Sequence, residues 1–203
     1  MKKYTLAHTK GGVGKSTVAW HLAHAFAQTS HVELVDCDFN QIIHYINIMA
    51  GSPFTVHQPR SVADLDAILA SIPDDTTVII DIGGFDSLLN QRAIEYSDHV
   101  IIPIAPDSVT EVLGFRTFDA ILSTLADTGR LHVLFNNVHA ATRNFDTFRE
   151  RIHDSRFHIL DTAIRSRKVY RSTMGEGQSV FSSIGNVAAI QEMEALRDEL
   201  ESY

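Results

Sequence analysis

Cysteine is almost missing from this 203-residue chain. Cys37 stands alone, so an intrachain disulfide framework is excluded and a reducing compartment is expected. Long hydrophobic runs are missing too: no stretch approaches the roughly 18 apolar residues of a membrane span. The N-terminal MKKYTLAHTKGG has two lysines but no uninterrupted apolar stretch before its glycines. It does not read as a secretory signal, and the cytoplasm is the expected location. Low-complexity tracts, internal repeats and linkers rich in Gly, Ser or Pro are also lacking, which argues for a single domain over residues 1–203. Basic charge is in deficit. The formal net charge of -8 excludes a surface that binds nucleic acid uniformly.

What is present is the balance of a soluble globular domain, 44% hydrophobic and 21% charged, long enough to bury a core without metal or cross-links. The charge is unevenly placed. Between Arg143 and Arg171, eight Lys/Arg (Arg143, Arg149, Arg151, Arg156, Arg165, Arg167, Lys168, Arg171) face four acids (Asp146, Glu150, Asp154, Asp161). That window is locally +4, and the remainder carries -12. A basic patch on an acidic body still binds DNA, because phosphate contacts act over about one Debye length.

Short apolar runs alternate with helical periods. Tyr4–His8, Val32–Asp36, Thr77–Asp81, His99–Ile104 and Leu131–Asn136 read as strands, apolar almost throughout, as strands buried on both faces are. Lys15–Gln28 carries Val18, Leu22, Ala25 and Phe26 at helical spacing. Ser61–Ser71 opens on an N-cap serine with Asp64 three residues on, close to a capping box. Ser87–Tyr96, Thr110–Ala126, Phe145–Ser155 and Val187–Glu201 are further helical segments. This alternation predicts an α/β fold, a doubly wound, mostly parallel sheet with helices on both faces, whose ligands bind outside the carboxyl ends of the strands. The eleven histidines are expected as scattered surface residues. His21 and His24 have a spacing that can hold a metal, but no neighbouring Cys or carboxylate completes a site.

Lys10-Gly11-Gly12-Val13-Gly14-Lys15-Ser16-Thr17 falls between the first strand and the first helix. The pattern G-x-x-x-x-G-K-[ST] asks for glycine where Thr9 stands, so this is a variant P-loop. The physics survives the change. Three glycines let the backbone wrap an anion with its N–H groups inward. Lys15 supplies a point charge for the β- and γ-phosphates. Ser16 supplies a hydroxyl for Mg²⁺, and the next helix begins here with its positive dipole end. Gly11, Gly12, Val13, Gly14, Lys15, Ser16 and Thr17 are thus the candidate nucleotide-binding residues. A Gly-rich turn without chemistry is the alternative, and the position after a strand and before a helix weighs against it.

Acids mark the ends of two other strands. Asp36-Cys37-Asp38 closes the second, and a polar strand end with an Asx turn is the alternative to a role at the phosphates. Asp81 ends the run Val78-Ile79-Ile80, a Walker B pattern whose carboxylate would hold Mg²⁺ through water. Gly83 and Gly84 read equally as a loop that senses the γ-phosphate or as a turn. Asn136 and Asn137 close the strand beginning at Leu131. Asparagine offers a donor and an acceptor together, and a turn asparagine is the other reading.

The form K-G-G-x-G-K-[ST] resembles the deviant Walker A motif of the ParA/MinD superfamily of P-loop NTPases. Ile102-Pro103-Ile104-Ala105-Pro106-Asp107-Ser108, the run Thr162–Tyr170 and Gly177-Gln178-Ser179-Val180-Phe181 are similar to the short, ParF-like plasmid ParA proteins. That subgroup has no N-terminal DNA-binding extension, and this chain reaches its first strand almost at once. The resemblance implies a Mg²⁺-dependent ATP hydrolase of weak intrinsic activity for DNA partition. It would form a homodimer around ATP, with higher assemblies left open. It would bind DNA non-specifically in the nucleoid and hydrolyse ATP when a small centromere-binding adaptor stimulates it.

Residue roles follow from the same resemblance. Lys10 would reach across the dimer to the partner's phosphates, much like an arginine finger in trans. Asp38 would position the attacking water, Asp36 would support the Mg²⁺ shell and Lys15, and Asn136 would read the adenine edge, with Asn137 able to do the same. The family's D-x-D-P-Q becomes Asp36-Cys37-Asp38-Phe39-Asn40-Gln41, without proline and with glutamine one place late, so Gln41 receives no role. Arg165, Arg167, Lys168 and Arg171 would form a DNA-binding face, with a solvated helix face or packing around the nucleotide loop as the alternative.

A second reading is a MinD-like regulator at a membrane or other cell-positioning surface. The tail Gln191–Tyr203 sets Glu192, Glu194, Asp198, Glu199 and Glu201 against Arg197, and an anionic bilayer repels it. No stable membrane anchor is expected. A nitrogenase-iron-protein-like reductase is excluded, because its cluster needs two cysteines per subunit.

Overall fold

The computed structural model describes residues 1–84, 87–106, 122, 124, 127–142, 146, 149, 150 and 157–203. Seven strands appear in chain order: β1 (Lys2–Leu6), β2 (Val32–Asp36), β3 (Thr55–His57), β4 (Thr77–Asp81), β5 (His99–Ile104), β6 (Leu131–Val138) and β7 (His158–Arg165). They form one sheet in the order β3-β2-β4-β1-β5-β6-β7, and every pairing in it is parallel. The helices are α1 (Lys15–Phe26), α2 (Ile42–Met49), α3 (Val62–Ser71), α4 (Leu88–Tyr96), α5 (Lys168–Gly175) and α6 (Val187–Glu201). The expected helical segments 110–126 and 145–155 lie largely outside the described residues.

Alternation along each strand divides the core into two layers. Tyr4, Leu6, Leu34, Ile79, Ile101 and Leu134 pack with α1 and α6. Val35, Val78, Ile80, Ile102, Val133 and Phe135 pack with residues of α3 and α4 on the other face. Consecutive residues of one strand thus serve opposite layers, which is why these strands read as unbroken apolar runs. The same alternation aims the strand ends. Asp36 follows Leu34, Asp81 follows Ile79 and Asn136 follows Leu134, so all three side chains fall on the α1 face.

Ser61 caps α3 as its sequence suggests, accepting from the Asp64 N–H at 3.1 Å, while the Asp64 carboxylate accepts from the Arg60 N–H at 3.0 Å. Two strands and two helices were not legible. β3 is three residues long at the sheet edge, between Pro53 and Pro59, and β7 mixes His, Asp, Thr and Arg among its apolar residues. β7 is the opposite edge, and α6 covers it. Glu199 accepts from the N–H groups of Asp161 and Thr162 at 2.6 and 2.8 Å, and Glu192 from that of Arg165 at 3.3 Å. Carboxylates thereby satisfy edge amides that would otherwise need water or another strand.

The histidines correct the expectation of surface residues. His8, His21, His99 and His132 are buried. His21 is a core residue whose nitrogens are both used: Nε2–H donates to the Tyr170 carbonyl at 2.9 Å and Nδ1 accepts from the Val180 N–H at 3.3 Å. Those partners lie about 150 residues away in sequence and leave no local signal. No group of three or more potential metal-binding side chains occurs among the described residues.

Candidate nucleotide site

The loop after β1 turns through two left-handed glycines, Gly12 (φ 80) and Gly14 (φ 95), and Gly14 is the N-cap of α1. A residue with a β-carbon is strained there. The loop is also held from behind. Asn136 sits beside a bulge in β6, where Asn137 takes φ 54. Its Nδ2 donates to the Val13 carbonyl at 2.8 Å. That bond uses one of the two hydrogens on Nδ2. Asn137 is exposed.

The two lysines of the loop occupy opposite environments. Lys15 is buried, and its Nζ donates to the Lys10 carbonyl at 3.4 Å. Burial lowers its pKa, and the Asp81 and Asp38 carboxylates work against that shift. Lys10 is exposed at the rim. Ser16 and Thr17 open the first turn of α1 beside Lys15.

Asp81 lies opposite Leu6 and Asp36 in the sheet. Its carboxyl is buried, and burial pushes its pKa up to about 7, against the smaller pulls of the Ser16 hydroxyl and Lys15. Ser16 is near enough to draw the charge, yet neither Asp81 oxygen closes a hydrogen bond among the described residues. A buried carboxylate without donors beside a hydroxyl and a phosphate loop has the character of a site that takes up a cation. Asp36 is differently engaged. One oxygen accepts from the Asp38 N–H at 3.1 Å and the other from the His44 N–H at 3.0 Å. It therefore fixes the turn after β2 and the first turn of α2, and burial raises its pKa. Asp38 forms the next turn: its Oδ1 accepts from the Asn40 backbone and side-chain nitrogens at 2.8 and 3.1 Å. The Asp38 carboxyl rests on Gly83, where a β-carbon would lie 3.2 Å from its Cγ. The loop after β4 and the turn after β2 are thus in contact.

These residues border two spaces. In front of the loop is a cleft of about 1000 Å³, lined by Gly11, Lys15, Asp36, Asp38, Gly83 and Gly84. Behind it is a cavity of about 60 Å³ between Gly14, Asn136 and the Ile164–Arg171 stretch. The front cleft suits phosphates and a cation.

A family model, the CobQ/CobB/MinD/ParA nucleotide binding domain, matches residues 4–180. The chain belongs to this family. Protein ParA of Rhizobium radiobacter is 28% identical over 204 residues, covering 93% of this chain and 90% of its own. Maintenance of carboxysome distribution protein A of Halothiobacillus neapolitanus is 26% identical over 192 residues, covering 89% and 88%. A plasmid partition protein of Borrelia burgdorferi bound to AMPPNP superposes with a TM-score of 0.75 at 18% identity, over 99% of this chain and 98% of that one. At that identity the likeness is one of fold.

In this MinD/ParA-family chain the four basic residues at and after the end of β7 separate into two pairs. Arg165 Nη1 donates to the Thr142 carbonyl at 2.6 Å. Arg167 is clamped by Glu192, whose Oε1 accepts from Nε and Nη2 at 3.0 and 2.7 Å, and Tyr170 donates to the same carboxylate at 2.7 Å. Both arginines line the rear cavity, as does Arg171. Lys168 and Arg171 are exposed. Sequence reasoning passed over Arg60 and read Glu192 only as a charge of the tail. Arg60 is an exposed cation on the front cleft, and among the described residues its guanidinium has no ion pair. Pro59-Arg60 sits at the end of an unread edge strand, and Glu192 shows its importance only through partners 22 to 27 residues away.

Proposed function

We propose that this chain is a DNA-partition ATPase that forms a nucleotide sandwich dimer, binds DNA non-specifically and hydrolyses ATP when a centromere-binding adaptor stimulates it. The observation that carries the reading is the contrast between its two loop lysines, Lys15 buried at the cradle and Lys10 exposed at the rim. One serves the phosphates held by its own loop. The other stands where a second copy meets the first.

ATP would be held with its phosphates on the N–H groups of Gly11 to Thr17 and its base on the Asn136 side of the loop. Asn136 Oδ1 accepts there, which suits the amino group of adenine. Mg²⁺, when bound, neutralises charge on the phosphate oxygens, and Ser16 and Asp81 are the residues that would hold it. Asp36 fixes the turn that carries Asp38. Asp38 orients the water that attacks the γ-phosphate, chemistry that depends on positioning and electrostatics. Lys168 and Arg171 carry the weak, salt-sensitive contact with DNA, and pairing two copies makes that contact depend on ATP. Arg165 and Arg167 support it from within. A nucleoid-associated protein of the cytoplasm is the cellular counterpart. A membrane-surface role is less well supported, because Ala189, Met193, Leu196 and Leu200 bury the apolar side of α6 in the core. Among the described residues no helix is long and apolar enough to cross a membrane.

The test is self-association of Asp38→Ala with ATP and Mg²⁺, followed by light scattering. A dimer with ATP and not with ADP is expected, and its absence removes the sandwich reading. ATPase rates with DNA and the small DNA-binding adaptor then separate a partition motor from an unstimulated switch.

A further inference from the structure

Two hydrogen bonds bracket the backbone of Lys10. His8 Nδ1 accepts its N–H at 2.9 Å, and Lys15 Nζ donates to its carbonyl at 3.4 Å. These grips differ in permanence. The Lys15 ammonium is the one that phosphates draw to themselves, so its bond to the carbonyl yields when nucleotide enters. The bond to His8 ends on a neutral acceptor, which phosphates do not attract. His8 is 1% exposed, two residues beyond the last residue of β1, and its ring is held by the strand end rather than by solvent.

We propose that His8 is a positioning residue for Lys10, its ring nitrogen holding the Lys10 peptide so that the lysine side chain leaves the loop toward a second copy of the chain. This rests on the reading of Lys10 as the cation given to a partner. The bond requires a neutral ring with its proton on Nε2, since Nδ1 is the acceptor. Burial, then the charges of Lys15 and Lys10, hold the imidazole neutral, with its pKa lowered to about 4. A side-chain acceptor that binds the N–H two residues on is also what asparagine provides in an Asx turn, and serine provides it more weakly. The role therefore belongs to the acceptor atom, not to the ring.

The test compares His8→Ala, His8→Asn, Lys10→Ala and the double variant His8→Ala/Lys10→Ala. Two quantities are read: ATP-dependent dimerisation by light scattering, and affinity for a fluorescent ATP analogue. His8→Ala is expected to weaken dimerisation at least about 10-fold while nucleotide affinity stays within about twofold, and the double variant is expected to match Lys10→Ala. His8→Asn restores dimerisation to within about threefold of the unmodified chain, as the local turn allows. Additive losses in the double variant, or His8→Asn as weak as His8→Ala, overturn the inference. Lys10→Ala losing the dimer while His8→Ala keeps it overturns this inference alone. Lys10→Ala dimerising normally overturns both it and the reading of Lys10. If His8→Ala does not fold, His8→Asn against His8→Ser at matched melting temperature decides: asparagine must dimerise better.

Discussion

Asn136 Nδ2 stands 2.6 Å from the point where a side chain on Gly14 would begin, and the same nitrogen donates to the Val13 carbonyl at 2.8 Å. A strand end thus clamps the phosphate loop from behind, and Gly14 is needed for that contact as well as for its left-handed backbone.

Removing the clamp is measurable. Asn136→Ala leaves a buried carbonyl without its donor, a loss of about 1–3 kcal/mol. For a chain of this size that lowers the melting temperature by roughly 2–10 °C. Scanning calorimetry of the nucleotide-free protein checks it. A melt equal to that of the unmodified chain would mean the bond contributes nothing.

Gly83→Ala tests the contact between the two loops at the front cleft. A β-carbon at 3.2 Å from Asp38 Cγ must push the carboxylate aside. If Asp38 orients the attacking water, a displacement of a few tenths of an ångström lowers turnover about 2- to 10-fold with little change in ATP affinity. Steady-state hydrolysis beside equilibrium nucleotide binding gives the answer, and a parallel loss of both places Gly83 in nucleotide binding.

The basic residues after β7 are expected to separate by phenotype. Arg167→Ala strips Glu192 of a two-nitrogen partner and destabilises the fold by about 1–2 kcal/mol, allowing for the half-exposed guanidinium. Lys168→Ala with Arg171→Ala leaves the melting temperature within about 2 °C and weakens DNA binding. Salt-dependent DNA binding and thermal melts on the same samples distinguish them. A DNA defect in Arg167→Ala at full stability contradicts this division.

Acid sensitivity follows from the buried imidazoles. Burial lowers the pKa of His21 to about 4 and that of His132 to about 3, against roughly 6.5 when unfolded. Between those values the unfolded chain binds more protons, so stability rises with pH. The contribution is complete above about pH 6.5 and is lost as pH falls through the folded values, roughly 2 kcal/mol for each histidine by pH 5. The melting temperature should be nearly level from pH 7 to 8 and fall from pH 6.5 to 5, less steeply than the histidines alone would give because the raised pKa of Asp81 works in the opposite direction, with a shallower fall in His132→Asn. A flat profile down to pH 5 excludes the mechanism.

The parts that could be read in advance are those whose signal is local. The glycine loop, the acids at strand ends and the five central strands each declare themselves within about ten residues, because central parallel strands are apolar on both faces. Ser61 with Asp64 and the segment Val187–Glu201 were equally legible. The misses share a cause. β3 and β7 are edges, where one side need not be apolar, and backbone amides of β7 find acceptors in glutamates of α6 that lie 27 to 38 residues away. His21 reads as a surface residue until its partners Tyr170 and Val180 are known. Asn136 was chosen for its donor and acceptor, and the donor turns out to hold the loop. Glu192 and Glu199 entered the sequence argument as charges that repel a bilayer, while their work is to satisfy backbone and arginine groups.

That sealing of β7 bears on how molecules of this kind stack into larger arrays. With the N–H groups of Asp161, Thr162 and Arg165 already taken by glutamates, this flank offers an incoming strand fewer donors, which works against one molecule prolonging the sheet of another. A filament that did not run through the β3 edge would have to be stitched through side chains on other surfaces rather than by fusing sheets.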